Sequence, residues 1–339
     1  MPQLLMPGRI IYGAKALDKI HPKRLEHTVI ISDGGFLESR GFIHQVENRV
    51  KRLSAKIDTI INGNRDELYR LAAEIHMADE IDCIISIGGG GIIDCGMLLS
   101  EESGAEFIAI PVSAACGMTD FESGKYFDYR KSPDCVVLDP ALMHCVSSGM
   151  LAYDGFACLG YAFDCLCSTN NSVIQSIAYN GASGIIKNII PAFRGNMDIL
   201  EKLMYSMYLA VAAHRNTPEC KTSLATGVSE FFGNFGYPKN SVLAVCVPSL
   251  IEFNTDVLQD TLVSLADDLN LSVMNESREG AAVKMLDEIR KTQAVLGIPR
   301  SISGFGLGSD GFNGSKSTSG LPADLLDLCY YGSFKFVKL

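Results

Sequence analysis

Between residues 28 and 111, short apolar runs rich in β-branched side chains alternate with segments of helical spacing. TVIIS (28–32), IDTII (57–61), CIISI (83–87) and FIAIP (107–111) each have the length and composition of a buried strand. Between the second and third, DELYRLAAEIHMA (66–78) opens on an acidic residue and repeats its apolar positions every three or four residues, which predicts a helix. Strand and helix patterns in alternation predict a parallel sheet with crossover helices. Beyond Pro140 the alternation stops. Segments 150–168, 172–190, 197–214 and 281–296 show no period of two and are long enough for helices. The change falls in VVLDPALMHCVSSGM, where Asp139-Pro140 interrupts regular structure. The pattern therefore predicts an α/β domain over residues 1–149 and an all-α domain over 150–339. After Arg300, SISGFGLGSDGFNGSKSTSG is rich in Gly and Ser and predicts a loop.

Length and composition agree with two ordinary globular domains: 339 residues, 47% hydrophobic and 20% charged. The formal charge is −10, and no basic run exceeds pairs such as Lys51-Arg52 and Arg130-Lys131, which excludes a phosphate-backbone partner. Apolar runs such as 242–247 fall far short of the roughly 20 residues of a membrane span, and MPQLLMPGR has no signal-type apolar region. A cytoplasmic protein with no membrane partner is expected. The eleven cysteines are scattered, without a C-x-x-C or a short-spaced Cys/His group, and read as buried, reduced side chains. Cys165 and Cys167 point to different sides of a predicted helix.

The stretch ISIGGGGIIDCG (85–96) places four glycines between a predicted strand and a predicted helix. Without a Cβ, backbone N–H groups can approach an anion, and the helix N-terminus adds partial positive charge, so a pyrophosphate is the expected ligand. A tight strand-to-helix turn with no ligand has the same pattern, and the spacing departs from G-x-G-x-x-G.

Several further segments accompany this turn in order: PGRIIYGAKAL (7–17), GGGGIID (88–94), IPVSAACG (110–117), DPALM (139–143), VPSLIEFN (247–254) and LGIPRSIS (296–303). Together they resemble the iron-containing alcohol dehydrogenase family, within the group that includes glycerol dehydrogenase and dehydroquinate synthase. The resemblance implies a dehydroquinate synthase-like fold, with a dinucleotide in the cleft between an N-terminal α/β domain and an all-α C-terminal domain. It places Gly88, Gly89, Gly90 and Gly91 at the pyrophosphate, with Asp94 nearby. Asp33, after the first predicted strand, falls where the family's aspartate meets the adenosine ribose; a carboxylate there favours NAD over NADP, although a helix cap reads the same locally. Val112, Ser113 and Cys116 replace family threonines around the nicotinamide.

Family members hold iron or zinc with one Asp and three His. Here the corresponding positions are Ala157, Tyr161, Ala225 and Lys239, and Ser229 stands where many members carry another His. Alanine has no lone pair and a protonated lysine repels a dication, so no metal is expected. His144, Asp154, Asp164, His214 and Glu230 lie near these motifs, but none has the i, i+4 spacing by which one helix supplies two ligands.

The reading that follows is an NAD(H)-dependent oxidoreductase interconverting an alcohol and an aldehyde or ketone, in a dedicated biosynthetic pathway. Tyr161 would donate the proton beside the positive charge of Lys239; a core aromatic and a surface lysine are the plainer reading of the same residues. Two alternatives stand beside it: a silent or accessory subunit that keeps the fold and nucleotide binding, and a dehydroquinate synthase-like cyclase. The expected partners are a small alcohol or carbonyl substrate, a second copy in a homodimer, and a second enzyme that completes the site.

Overall fold

A computed structural model describes residues 4–21, 27–32, 35–50, 53–58, 81–113, 132–273, 275–316 and 319–332. It divides into two compact units, Met1–Val146 and Ser147–Leu339.

Among the described residues the first unit is built on a six-stranded parallel sheet: β1 (Arg9–Tyr12), β2 (Thr28–Ser32), β3 (Leu53–Asp58), β4 (Cys83–Gly88), β5 (Glu106–Pro111) and β6 (Cys135–Leu138). The spatial order is β1-β6-β5-β4-β2-β3. Every residue of β4 is buried, which explains its unbroken apolar sequence: a central parallel strand is covered on both faces. One face packs Ile30, Ile85, Ile87, Ile108, Ile110 and Val137 into a single core. The short helices α1 (Gly35–Ser39) and α2 (Phe42–Glu47) follow β2, and α3 (Gly90–Ser103) follows β4. Gly96 lets α3 lie close on the sheet; a Cβ there would stand 2.0 Å from Ser86 Oγ and 2.5 Å from Phe107 Cε2. The third strand takes in 53–58 and overlaps the expected 57–61 at Ile57 and Asp58, residues 59–61 lying outside the described residues. Strands β1 and β6, four residues each, were too short to stand out by period. The helix expected over 66–78 lies outside the described residues.

Asp139 closes this unit. Its Oδ1 accepts the Ala141 N–H at 3.1 Å and so caps α4 (Pro140–Met143), while Oδ2 accepts the Leu17 N–H at 3.2 Å.

The second unit is helical: α5 (Ser148–Ser168), α6 (Ser172–Phe193), α7 (Met197–Arg215), α8 (Leu224–Gly233), α9 (Lys239–Phe253), α10 (Thr255–Asp268), α11 (Arg278–Val295), α12 (Ser309–Lys316) and α13 (Ala323–Tyr331). Ser147, Asn171, Asn196, Ser223 and Ser277 cap five of these with side-chain oxygens. Helices α6 and α7 approach to backbone contact at Gly181, where a Cβ would stand 2.8 Å from Ala210 N. The expected C-terminal loop is folded: Ile302–Phe305 forms a 3-10 turn, and α12 buries Phe312 completely against Tyr330 with ring centroids 4.1 Å apart. A single aromatic anchor ordered a segment whose Gly/Ser content suggested otherwise. Among the described residues no single helix is long and apolar enough to cross a membrane.

Candidate functional site

In the first unit, the glycine turn ends β4 at Gly88 and opens α3, with Gly89 as an extended N-cap residue that carries no side chain to satisfy the helix start. Gly89, Gly90 and Gly91 are half-buried and no acidic residue occupies the first turn, so the amides of that turn face no competing anion of the helix itself. Asp94 and Ser113 are buried, at 4% and 2% exposure. Asp33 and Cys116 lie outside the described residues.

In the second unit, the positions that hold the family's metal do not suit one. Ala157 and Ala225 are buried and offer no donor atom. Tyr161, on α5, donates its hydroxyl to Asn240 Oδ1 at 2.5 Å. Lys239, the first residue of α9, places Nζ 3.8 Å from Glu230 Oε1. Ser229 returns its hydroxyl to the Ala225 carbonyl of its own helix at 2.8 Å.

Beside Tyr161 the fold assembles a cluster that spacing along the chain did not indicate. The Tyr161 ring packs on His214 of α7, with centroids 4.7 Å apart and planes tilted by 48°. His214 Nε2 lies 3.2 Å from Asp164 Oδ2, on α5 three residues beyond Tyr161. Cys220, on the 3-10 turn Pro218–Thr222, completes a triad whose donor atoms all lie within 4.8 Å of one another. Ser223 donates to Asp164 Oδ2 at 2.8 Å while accepting the Thr226 N–H at 3.2 Å. Cys165 Sγ lies 3.9 Å from Cys220 Sγ. Burial opposes a charge on His214, but the Asp164 carboxylate and the Cys220 thiol outweigh it and lift the imidazole to about 9. The contact with Cys165 and burial push the Cys220 thiol up, against a smaller opposing pull from His214. His144 is exposed and Glu230 lies open beside Lys239, so of the acidic and histidine residues near the motifs it is Asp164 and His214 that converge. The i, i+4 criterion passed over this group because its members come from two helices and a turn.

Asp164 also lines a cavity of about 300 Å³ with Gly160, Phe163, Cys167, Ser223 and Asn254. Cys165 and Cys167 thus face opposite ways from α5, one to Cys220 and one to the cavity.

Residues 12–143 match the model of the family described as iron-containing alcohol dehydrogenase. That match falls within the first unit. The 1,3-propanediol dehydrogenase of Klebsiella pneumoniae is 21% identical over 285 residues, covering 75% of this chain and 73% of its own. Among solved structures, a 1,3-propanediol oxidoreductase superposes with a TM-score of 0.81 at 18% identity, covering 94% of this chain and 93% of its own. The sulfoacetaldehyde reductase of Bifidobacterium kashiwanohense, in complex with NAD+, superposes with a TM-score of 0.77 at 16% identity, covering 98% and 99%. The iron-containing alcohol dehydrogenase fold accounts for both units, an α/β sheet domain followed by helices.

Proposed function

We propose that this chain is a member of that family and an NAD(H)-dependent oxidoreductase that interconverts an alcohol and an aldehyde or ketone, with Tyr161 handling the proton. The observation that carries the reading is the glycine turn, after which α3 carries no acidic residue in its first turn, in a chain similar to dehydrogenases and reductases. A dinucleotide pyrophosphate suits such amides and the partial positive charge behind them. A bound dinucleotide would supply the hydride to the carbonyl carbon, and the protein would supply the proton to the carbonyl oxygen. The Tyr161 hydroxyl would be the proton donor; Asn240 holds it in place, and Lys239, the residue before Asn240, would add positive charge that Glu230 partly offsets. NAD rather than NADP, the homodimer, the cytoplasmic location and a place in a dedicated pathway belong to this proposal.

The test is calorimetry with NADH and kinetics with a panel of aldehydes. Gly91→Asp introduces a negative charge at the helix start and is expected to remove NADH binding. Tyr161→Phe is expected to keep NADH affinity and lower kcat by about 10²- to 10⁴-fold, the usual worth of a general acid. Unchanged turnover in Tyr161→Phe would remove the tyrosine's role, and binding without any turnover would favour an accessory subunit.

A further inference from the structure

We propose that Asp164, His214 and Cys220 form a binding site for one zinc-type divalent cation, displaced from the family's metal position. The site adjoins Tyr161, whose ring packs on His214, but it does not depend on a catalytic role for the Tyr161 hydroxyl. A carboxylate, an imidazole and a thiol within 4.8 Å of one another are the donor types that zinc and cobalt take together. Bonds of about 2.0–2.3 Å in a tetrahedral sphere place neighbouring donors roughly 3.2–3.8 Å apart. The Asp164–His214 separation of 3.2 Å already matches that spacing.

Two features separate this group from an ordinary polar contact. The first is charge: one thiolate and one carboxylate neutralise a dication, so the occupied site would bury no net charge. The second is support around the donors. The Tyr161 ring holds the imidazole on one face, and Ser223, itself fixed as the cap of α8, orients the carboxylate. Both hydrogen bonds to Asp164 fall on Oδ2, and the residue lines the 300 Å³ cavity, from which a water can fill the fourth coordination position. Asp164 stands seven residues, about two helical turns, beyond the Ala157 that replaces the family's aspartate, so it lies on the same face of α5 but about 10 Å further along the helix.

The test uses full-length protein, stripped with a chelator and titrated with Co²⁺ while its absorption is followed. Saturation at one cobalt per chain is expected, with tetrahedral d–d bands in the visible, a thiolate-to-cobalt charge-transfer band in the near ultraviolet, and displacement of both by Zn²⁺. Cys220→Ser is expected to lose the charge-transfer band, Asp164→Asn to weaken cobalt binding more than tenfold, and Cys145→Ser to leave the spectrum unchanged. Circular dichroism checks that each variant is folded; should Cys220→Ser not fold, Asp164→Asn carries the comparison. No charge-transfer band in the unmodified protein would overturn the proposal, as would a band that survives in folded Cys220→Ser or an affinity unchanged in folded Asp164→Asn.

Discussion

Ser223 donates its hydroxyl to Asp164 Oδ2 at 2.8 Å across 59 residues of sequence, and the same oxygen accepts the Thr226 N–H that begins α8. One atom thus joins the helix cap to the buried carboxylate. Ser223→Ala removes both interactions, with an expected loss of about 1–3 kcal/mol in urea unfolding, from a cap and a hydrogen bond to a charged group. Ser223→Thr retains both and is expected to stay close to the unmodified protein.

Gly96 is where α3 meets the sheet. Gly96→Ala drives a methyl group into Ser86 Oγ and Phe107, both buried, and overpacking of this kind costs about 1–3 kcal/mol. A lowered thermal midpoint is expected, with partial recovery in Gly96→Ala/Phe107→Leu. The clash with Ser86 remains in that double variant, so full recovery would mean that Ser86 yields readily.

Tyr208 buries its hydroxyl without a hydrogen-bond partner among the described residues. Burial raises its ionisation to about 12, against a smaller lowering by Arg215. Because the folded value lies above the ordinary tyrosine value of about 10, the contribution of the neutral phenol to stability is full below pH 10. It is lost as pH rises from there through about 12. Tyr208→Phe removes the unpaired group, so stability at neutral pH is expected to stay equal or rise by about 1 kcal/mol. A loss of more than that in equilibrium unfolding would show that the hydroxyl has a partner.

Most of the fold was legible in the sequence because buried parallel strands are written as unbroken apolar runs; β2, β4 and β5 fell where TVIIS, CIISI and FIAIP placed them. The long helices α5, α6, α7 and α11 followed from length and the loss of alternation. What was not legible depended on contacts far apart in the chain. Phe312 turns a Gly/Ser-rich segment into a packed helix because Phe232 and Tyr330, both distant in sequence, stack on it. Likewise His214 and Asp164 are 50 residues apart, and no periodicity reports a contact between two helices. Tyr161 was singled out at a position vacated by a metal ligand; Asn240, which takes its hydroxyl, carries no signal of its own beyond standing next to Lys239.

Burial also sorts the cysteines by reactivity. Cys83 and Cys95 are buried, and desolvation raises both thiols, Cys95 to about 12, whereas Cys145 is only partly covered. Among these three, alkylation of native protein followed by peptide mass spectrometry is expected to label Cys145 first, with Cys83 and Cys95 labelled only after unfolding. Early labelling of Cys95 would show that α3 opens readily from the sheet.

The central claim is that this chain carries out hydride transfer. Its most direct test is incubation with nicotinamide dinucleotide deuterated at C4, separately in each face and each coenzyme form, with a panel of aldehydes and ketones. Mass spectrometry then follows the products. The account predicts deuterium on the carbinol carbon of at least one alcohol product, from one face of NADH and with little transfer from NADPH. Intact carbonyls throughout the panel, with NADH measurably bound, would contradict it.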